Sequence, residues 1–419
     1  MPIQSRWSTP TPRMSLPSWV FGSEQHGPRN EKIAFVDADD LSNTLTIWES
    51  ELYSKRLANG IFVPCLFFGI IMAGAIYTGA TSSSTALELS HQLKDSGAKV
   101  LITSVEVTHF AYVANGEAHL LLHRLQKEAW SGPYRARALC FLPLNHAVAQ
   151  TTFIANYPKM GVETYIMGQY NFNDMLSHIE KYQITELITA PPIISLLVAN
   201  SVLVGDSLRS VRNVICGTAP LALSLEQRAN APFKDKRVVI RQGWGMTELT
   251  CLGTMNDPLL PGSPGSVCET APNSAIKLMD GETEITVANK RGQLWFTSPT
   301  LMAGYWKHPE ATRETIINEN GIRWLKTGDI AHVDSWGPGA NIYLVDRSKE
   351  ILKVKGFQVA PAELEAAFVT HPDISVVGTN IQGHEVPRAY VVRRPGSCLT
   401  AHDIMSWKEI EQDTAPDTA

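Results

Sequence analysis

The chain has 419 residues, 44% of them hydrophobic and 18% charged, enough to bury a large core spread over about two to three domains. A formal net charge of −5 with no basic run argues against nucleic acid as a main partner, and the composition excludes global disorder. The six cysteines (Cys65, Cys140, Cys216, Cys251, Cys268 and Cys398) are scattered, without a C-x-x-C pair or a nearby His cluster. That pattern excludes a zinc site of the usual spacing and a disulfide scaffold, and suits a reducing compartment.

The first residues, MPIQSRWSTPTPRMSLPSW, place proline and charge where a secretory signal needs an apolar run, so secretion is not expected. The last residues, APDTA, match neither a peroxisomal tripeptide nor a prenylation box, and an intracellular, cytoplasmic protein is expected. Ile61 to Ala80 is long and uncharged enough to cross a bilayer. Pro64, Gly69 and Gly74 interrupt it and no basic flank orients it, so a buried helix of an α/β core is the expectation.

Helical and extended patterns then alternate. Ala86 to Ser96 puts Leu89 and Leu93 on one face and is stopped by Gly97; Lys99 to Thr103 follows as a short buried strand. Met175 to Tyr182 reads as helix and Glu186 to Thr189 as strand, ending at Pro191-Pro192. Val211 to Cys216 and Arg237 to Arg241 are further buried strands, each running into a glycine. Alternation of this kind, with glycines at strand ends, predicts a parallel sheet whose loops bind a ligand. From Gly281 onward the runs shorten (GQLWF, NIYLV, EILKVKG) and predict a smaller mixed β region; Ala360 to Thr370 reads as a helix opened by Pro361.

The stretch richest in chemistry is Gln242 to Leu249, QGWGMTEL, directly after the RVVIR strand. Glycines on both sides of Trp244 let backbone approach a flat ring that the indole can cover. Thr247 offers a hydroxyl for a phosphate, and Glu248 an oxygen anion for Mg²⁺. Taken alone, the same residues also fit an ordinary strand–turn–helix with Thr247 as its N-cap. CGTAPL (Cys216 to Leu221) is a second strand-end glycine turn. WLKTGDI (Trp324 to Ile330) presents Asp329 after a Thr-Gly turn, where a carboxylate can accept both hydroxyls of a ribose. DRSKEILKVKGFQVAP (Asp346 to Pro361) carries Arg347, Lys349, Lys353 and Gln358 on a hairpin-like element.

In this order, CGTAPL, QGWGMTEL, GQLWFTSPTLMAGYW, WLKTGDI and DRSKEILKVKGFQVAP resemble the adenylate-forming (AMP-binding) superfamily. Within it the similarity is to the 4-coumarate–CoA ligase-like and acyl-CoA synthetase branch, and FLPLNHA (Phe141 to Ala147) matches its Leu-Pro-x-x-His stretch at the acyl pocket. The resemblance implies an α/β fold: a large N-terminal region of parallel and mixed sheets with helices (1–345), and a small, truncated α+β C-terminal lid (346–419). It implies an AMP-forming acyl- or aryl-CoA ligase that joins a carboxylic acid to ATP and passes the acyl-adenylate to coenzyme A, with Mg²⁺. Adenylation gives the acyl carbon a better leaving group, so a thiol suffices as nucleophile.

Carried over by the resemblance, Gly217, Thr218 and Ala219 with Gly243 and Trp244 would hold adenine, Thr247 the α-phosphate and Glu248 the Mg²⁺. Asp329 and Arg347 would hold the ribose. Lys349 would be the hinge; Lys353, Gly356 and Gln358 would serve the thioester-forming pose. His146 would close the acyl pocket, although a histidine hydrogen-bonded within a turn fits it too.

Three departures stand beside these matches. The family's Ser/Thr/Gly-rich phosphate loop ending Pro-Lys-Gly has no counterpart in Thr103 to Trp130, which holds one glycine, Gly116. A C-terminal Gly-Lys is missing, since Lys408 is the last lysine and no glycine precedes it. Gly60-Ile61-Phe62 runs straight into an apolar segment where the family has a further strand. The alternative function is therefore a catalytically impaired relative that retains nucleotide binding, or a truncated product without activity.

Overall fold

A computed structural model describes residues 2–21, 33–38, 44–46, 63–72, 105–130, 135–219, 221–230, 233, 238–260, 262–347, 352–354, 357–359, 374–380, 388–393, 397–400 and 403. The chain forms two compact units, 1–344 and 345–419.

The alternating segments of the first unit build one seven-stranded sheet. Its order is Thr44–Thr46, Ile33–Asp37, Glu163–Ile166, Arg137–Cys140, Glu186–Thr189, Asn213–Cys216 and Ile240–Gln242. All neighbours run parallel except the Thr44–Thr46 edge strand. Burial on both faces explains the continuous apolar texture, and all four residues of Glu186–Thr189 are buried. Successive side chains serve opposite cores: Ala138, Cys140, Ile166 and Ile188 pack with Phe68, Phe153 and Trp19. Leu139, Tyr165, Leu187, Val214 and Ile240 pack with Met175, Ile179 and Phe233.

The connecting helices start where their caps dictate. Asn171 accepts from the backbone N–H of Asn173 and Asp174 at 2.9 and 3.2 Å, so the helix begins at Phe172 and ends at Tyr182, longer at its start than the apolar pattern alone requires. Pro191 and Pro192 do more than close a strand: they occupy the first turn of the helix Pro191–Ala199, where a missing N–H costs nothing. Ala147 to Met160 is one helical run whose middle, Gln150–Asn156, is π-helical. Of the apolar Ile61–Ala80 stretch, the described part is the helix Val63–Met72, with Phe67 and Phe68 buried. Among the described residues no helix is long and apolar enough to cross a membrane. The expected helix over 86–96, the strand over 99–103 and the helix over 360–370 lie outside the described residues.

The mixed β region is a second seven-stranded sheet, ordered Ile3–Gln4, Ala275–Asp280, Gly292–Thr297, Ile322–Val333, Ile316–Glu319. Thr283–Ile285 pairs with Ala275–Asp280, and Ile342–Arg347 with Ile322–Val333. Its inner face (Ile276, Leu278, Leu294, Phe296, Leu325, Val333) forms a third core with Leu249, Met302 and Trp244. On the outer face, Trp295 and Trp324 lie under the ammonium groups of Lys326 and Lys277, 5.3 and 4.6 Å from the ring centres. In the second unit the described residues form two antiparallel hairpins, Leu352–Val354 with Phe357–Val359 and Ile374–Asn380 with Arg388–Arg393.

Candidate nucleotide site

The site grows from the carboxyl ends of two adjacent parallel strands, where α/β sheets leave a crevice for ligands. Cys216 and Gln242 are register partners, and the chain beyond each stays paired: the Gly217 N–H donates to Thr189 O at 3.0 Å and the Gly243 N–H to Cys216 O at 2.8 Å. A Cβ on Gly217 would sit 3.3 Å from Gly243 O, so a side chain there would force the two turns apart. Thr218 then turns with φ +73°, and Thr218 and Ala219 are exposed at the rim. The Gln242 side chain ties the turns together, its Oε1 accepting from the Leu221 N–H at 3.1 Å while its amide donates to Glu226 Oε2 at 2.7 Å.

Trp244 is held on every side. Its N–H donates to Thr254 Oγ1 at 2.9 Å, and its carbonyl accepts from Gly253 and Thr254, both at 3.0 Å. A Cβ on Gly253 would lie 2.3 Å from the indole, so only glycine lets the ring sit against that stretch of backbone. Phe296 flanks the ring at 5.5 Å, tilted by 59°. The indole Nε1 donates to Asp329 Oδ2 at 2.8 Å. Asp329 is buried, at 9% exposure, and follows Gly328, whose φ of +79° makes a bulge inside the continuous strand Ile322–Val333 in place of the Thr-Gly turn expected there. Thr327 Oγ1 accepts from the Asp329 N–H at 3.1 Å and donates to Leu294 O at 2.7 Å, fixing the carboxylate to the second sheet.

Thr247–Leu249 is a single 3₁₀ turn preceded by Met246, which makes no side-chain cap; Thr247 opens this turn and is exposed. Glu248 is half-buried, with Oε1 accepting from the Tyr305 hydroxyl at 2.9 Å and its carbonyl accepting from the Met302 N–H at 2.8 Å. Burial first, and then the neighbouring Glu248 carboxylate, push the Tyr305 hydroxyl up to about 12, so it remains a donor at neutral pH. The strand Gly304–Tyr305 pairs in turn with Val105–Glu106.

His146 caps the helix at Ala147, with Nδ1 accepting from the Val148 N–H at 3.3 Å, the turn-bonded arrangement left open by the sequence. Partial desolvation lowers its pKa, which keeps it neutral and able to accept. It follows the Arg137–Cys140 strand and so rises from the same edge of the sheet as Gly217 and Gly243. Arg347 ends the Ile342–Arg347 strand and is exposed. Lys353 and Gln358 are backbone register partners in the hairpin of the second unit. Lys349 and Gly356 lie outside the described residues.

Thus Trp244, Gly243, Gly217, Thr218, Thr247, Glu248 and Asp329 gather within the first unit. Sequence reasoning missed Tyr305 as the partner of Glu248 and Phe296 as the neighbour of Trp244, although both lie inside GQLWFTSPTLMAGYW. It also missed Gln242 as a strut, for which a buried polar residue at a strand end is the only signal. A cavity of about 510 Å³ lined by Arg13, Met14, Ser15, His109 and Phe110 contains none of these residues.

The family described as "AMP-binding enzyme" matches residues 104–306. Among curated relatives, "Probable CoA ligase CCL5" of Humulus lupulus is 36% identical over 277 residues, covering 64% of this chain and 49% of that protein. "4-coumarate--CoA ligase 1" of Petroselinum crispum is 37% identical over 278 residues, again 64% and 49%. The chain thus spans about half the length of the first such relatives. "4-coumarate--CoA ligase-like 6" of Arabidopsis thaliana is 33% identical over an alignment of 447 positions, gaps included, covering 88% of this chain and 77% of that protein. The fold is similar to that of ATP-bound MatB from Rhodopseudomonas palustris, with a TM-score of 0.77 at 16% identity over 96% of this chain and 93% of that one. It is similar also to the anthranilate CoA ligase AuaEII in complex with anthranoyl-AMP, with a TM-score of 0.76 at 18% identity over 96% and 91%. The chain belongs to the adenylate-forming family of AMP-binding enzymes, in its 4-coumarate–CoA ligase-like branch.

Proposed function

We propose that the first unit binds the adenosine monophosphate moiety of ATP and of an acyl-adenylate, as the adenylation site of an AMP-forming acyl- or aryl-CoA ligase. The observation that carries this is the Trp244–Asp329 hydrogen bond, which puts a flat indole and a buried carboxylate in one site beside two glycine turns. Gly217, Thr218, Ala219, Gly243 and Trp244 frame the adenine. Asp329 accepts from the ribose hydroxyls, with Arg347 as its expected second partner. Thr247, exposed at the start of its turn, donates to the α-phosphate.

Glu248 would hold a Mg²⁺ ion, which would supply positive charge beside the phosphate. Among the described residues no three His, Cys, Asp or Glu side chains gather as a protein-only cage, and Mg²⁺ is commonly held by one or two carboxylates plus substrate phosphates. Bound there, the ion would neutralise charge developing on the phosphate. Tyr305 steers the carboxylate that holds it.

We further propose the division 1–345 as nucleotide-binding region and 346–419 as lid region, with Lys349 as hinge and Lys353, Gly356 and Gln358 serving attack by coenzyme A. His146 bounds the space for the acyl group. The substrates are then a carboxylic acid, ATP and coenzyme A.

A second reading, an impaired relative that binds nucleotide without turnover, is favoured by one observation. Residues 105–129 are taken up by a short strand and the helix His109–Ala129, and their one glycine, Gly116, is helical and packed under the Trp19 ring. No glycine-rich phosphate cradle forms among these described residues. Losing such a cradle removes charge-assisted hydrogen bonds of about 1.5–3 kcal/mol each from the β- and γ-phosphates. Carboxylate-dependent exchange of labelled pyrophosphate into ATP separates the two readings. Exchange with any acid of a broad panel supports the ligase; AMP binding without exchange supports the impaired relative.

A further inference from the structure

The turn that carries Thr247 and Glu248 closes through two residues in the left-handed region, Thr250 at φ +50° and Cys251 at φ +78°. Neither is glycine and Thr250 is β-branched, so this backbone persists only where its surroundings over-determine it. Those surroundings are specific. Thr250 Oγ1 donates to Thr300 O at 2.7 Å, and Thr250 O accepts from the side-chain amide of Asn115 at 2.6 Å.

Asn115 stands on the helix His109–Ala129, is fully buried, and is itself oriented. A carbonyl such as Thr250 O can only accept, so the Asn115 NH₂ faces it and Asn115 Oδ1 points away. That Oδ1 accepts from the amide of Asn156 at 2.9 Å. Asn156 is also fully buried and ends the π-helical segment Gln150–Asn156, an irregularity that recurs at functional sites. Its own Oδ1 has no partner among the described residues, so the relay has one direction: Asn156 donates to Asn115, and Asn115 to Thr250.

We propose that Asn115 and Asn156 are positioning residues that hold the Thr247–Thr250 turn in its strained form and thereby set Thr247 and Glu248 against the phosphate. This rests on the nucleotide-site reading above. A buried amide pair spanning three segments is a poor stabiliser compared with apolar packing, but it gives a directional hold that packing cannot.

Adenosine engages the Trp244–Asp329 half of the site, whereas AMP with Mg²⁺ also engages the turn, so the two ligands separate positioning from general structure. Titration of each into the full chain and into Asn115→Leu is the test. The expected result is a fall of about tenfold in AMP affinity with adenosine affinity held within about twofold, the scale of one lost charge-assisted contact. An unchanged ratio of the two affinities, or an equal loss of both, overturns the proposal. If the unaltered chain binds neither ligand, it is the nucleotide-site reading that fails. Should Asn115→Leu not fold, Asn156→Leu removes only the orienting donor; a fall of about threefold in the same ratio is expected, and no change overturns the proposal.

Discussion

The indole N–H of Trp244 and the carboxylate of Asp329 meet at 2.8 Å although 85 positions separate them in the chain. Trp244 hangs from the end of the parallel sheet through Gly243, and Asp329 from the second sheet through Thr327 and Gly328. The bond therefore ties the two sheets of the first unit together where the nucleotide is proposed to sit. Replacing Trp244 by Phe keeps a ring over the crevice and removes the donor. It is expected to cost about 1–3 kcal/mol of stability, because the carboxylate loses a buried partner. Urea unfolding of the two proteins measures this, and an unchanged midpoint would show that the bond contributes nothing.

Gly253 makes room for that indole. A methyl group there would stand 2.3 Å from the ring, so Gly253→Ala must displace either its own backbone or the tryptophan. Overpacking of this kind costs about 1–3 kcal/mol. Because the ring moves, near-ultraviolet circular dichroism should change along with the melting temperature, whereas a variant that merely lost stability would keep the native spectrum below its transition.

Tyr305 and Glu248 give a second handle. Tyr305→Phe removes the hydroxyl bonded to Glu248 Oε1. The expected loss is about 1.5–3 kcal/mol at most, the range for hydrogen bonds to charged groups. With its steering partner gone, Glu248 should hold Mg²⁺ less well, and the Mg²⁺ concentration giving half-maximal tightening of AMP binding should rise. A Mg²⁺ dependence identical to that of the unaltered chain would remove Tyr305 from the site.

Glu186 predicts a pH dependence unrelated to the nucleotide. It is buried at the start of a central strand with Asn213 donating to Oε2 at 3.0 Å, and burial raises its pKa from 4.5 to about 7. The folded chain thus binds the proton more tightly than the unfolded chain. Stability from this group is complete below about pH 4.5 and is lost as pH rises through about 7. Glu186→Gln removes the penalty of the buried charge, so its melting temperature should exceed that of the unaltered chain by more at pH 8 than at pH 5. A difference that is the same at both pH values contradicts the shifted titration; its upper bound is about 3 kcal/mol.

How legible the molecule is from its residues differs by region. The strands Glu186–Thr189 and Asn213–Cys216 are apolar runs stopped by turn residues, and a chain buried on both faces leaves that trace. Among the described residues the strand before Gly243 spans Ile240–Gln242, one residue beyond the expected end at Arg241, since the register with Val214–Cys216 runs on to Gln242. Trp244 was legible because it stands between glycines, one of which packs against the Cys251 backbone too closely for a side chain, and Asp329 because it follows a glycine, Gly328, whose positive φ kinks the strand. Their mutual bond was not, since nothing in two segments so far apart reports which indole finds which carboxylate. Asn115 and Asn156 were illegible for a related reason. Inside helical patterns they look like solvent-facing amides, and only the packing of the His109–Ala129 helix against the Gln150–Asn156 segment turns both inward.

Whether Trp244 and Asp329 form one half of a nucleotide site is read by calorimetric titration of AMP into the full chain and into Asp329→Ala. Saturable binding by the unaltered chain is expected, weakened at least about tenfold in the variant by loss of the ribose acceptor. Equal AMP affinity in the two proteins, with Asp329→Ala still folded, would place the nucleotide elsewhere and contradict that assignment.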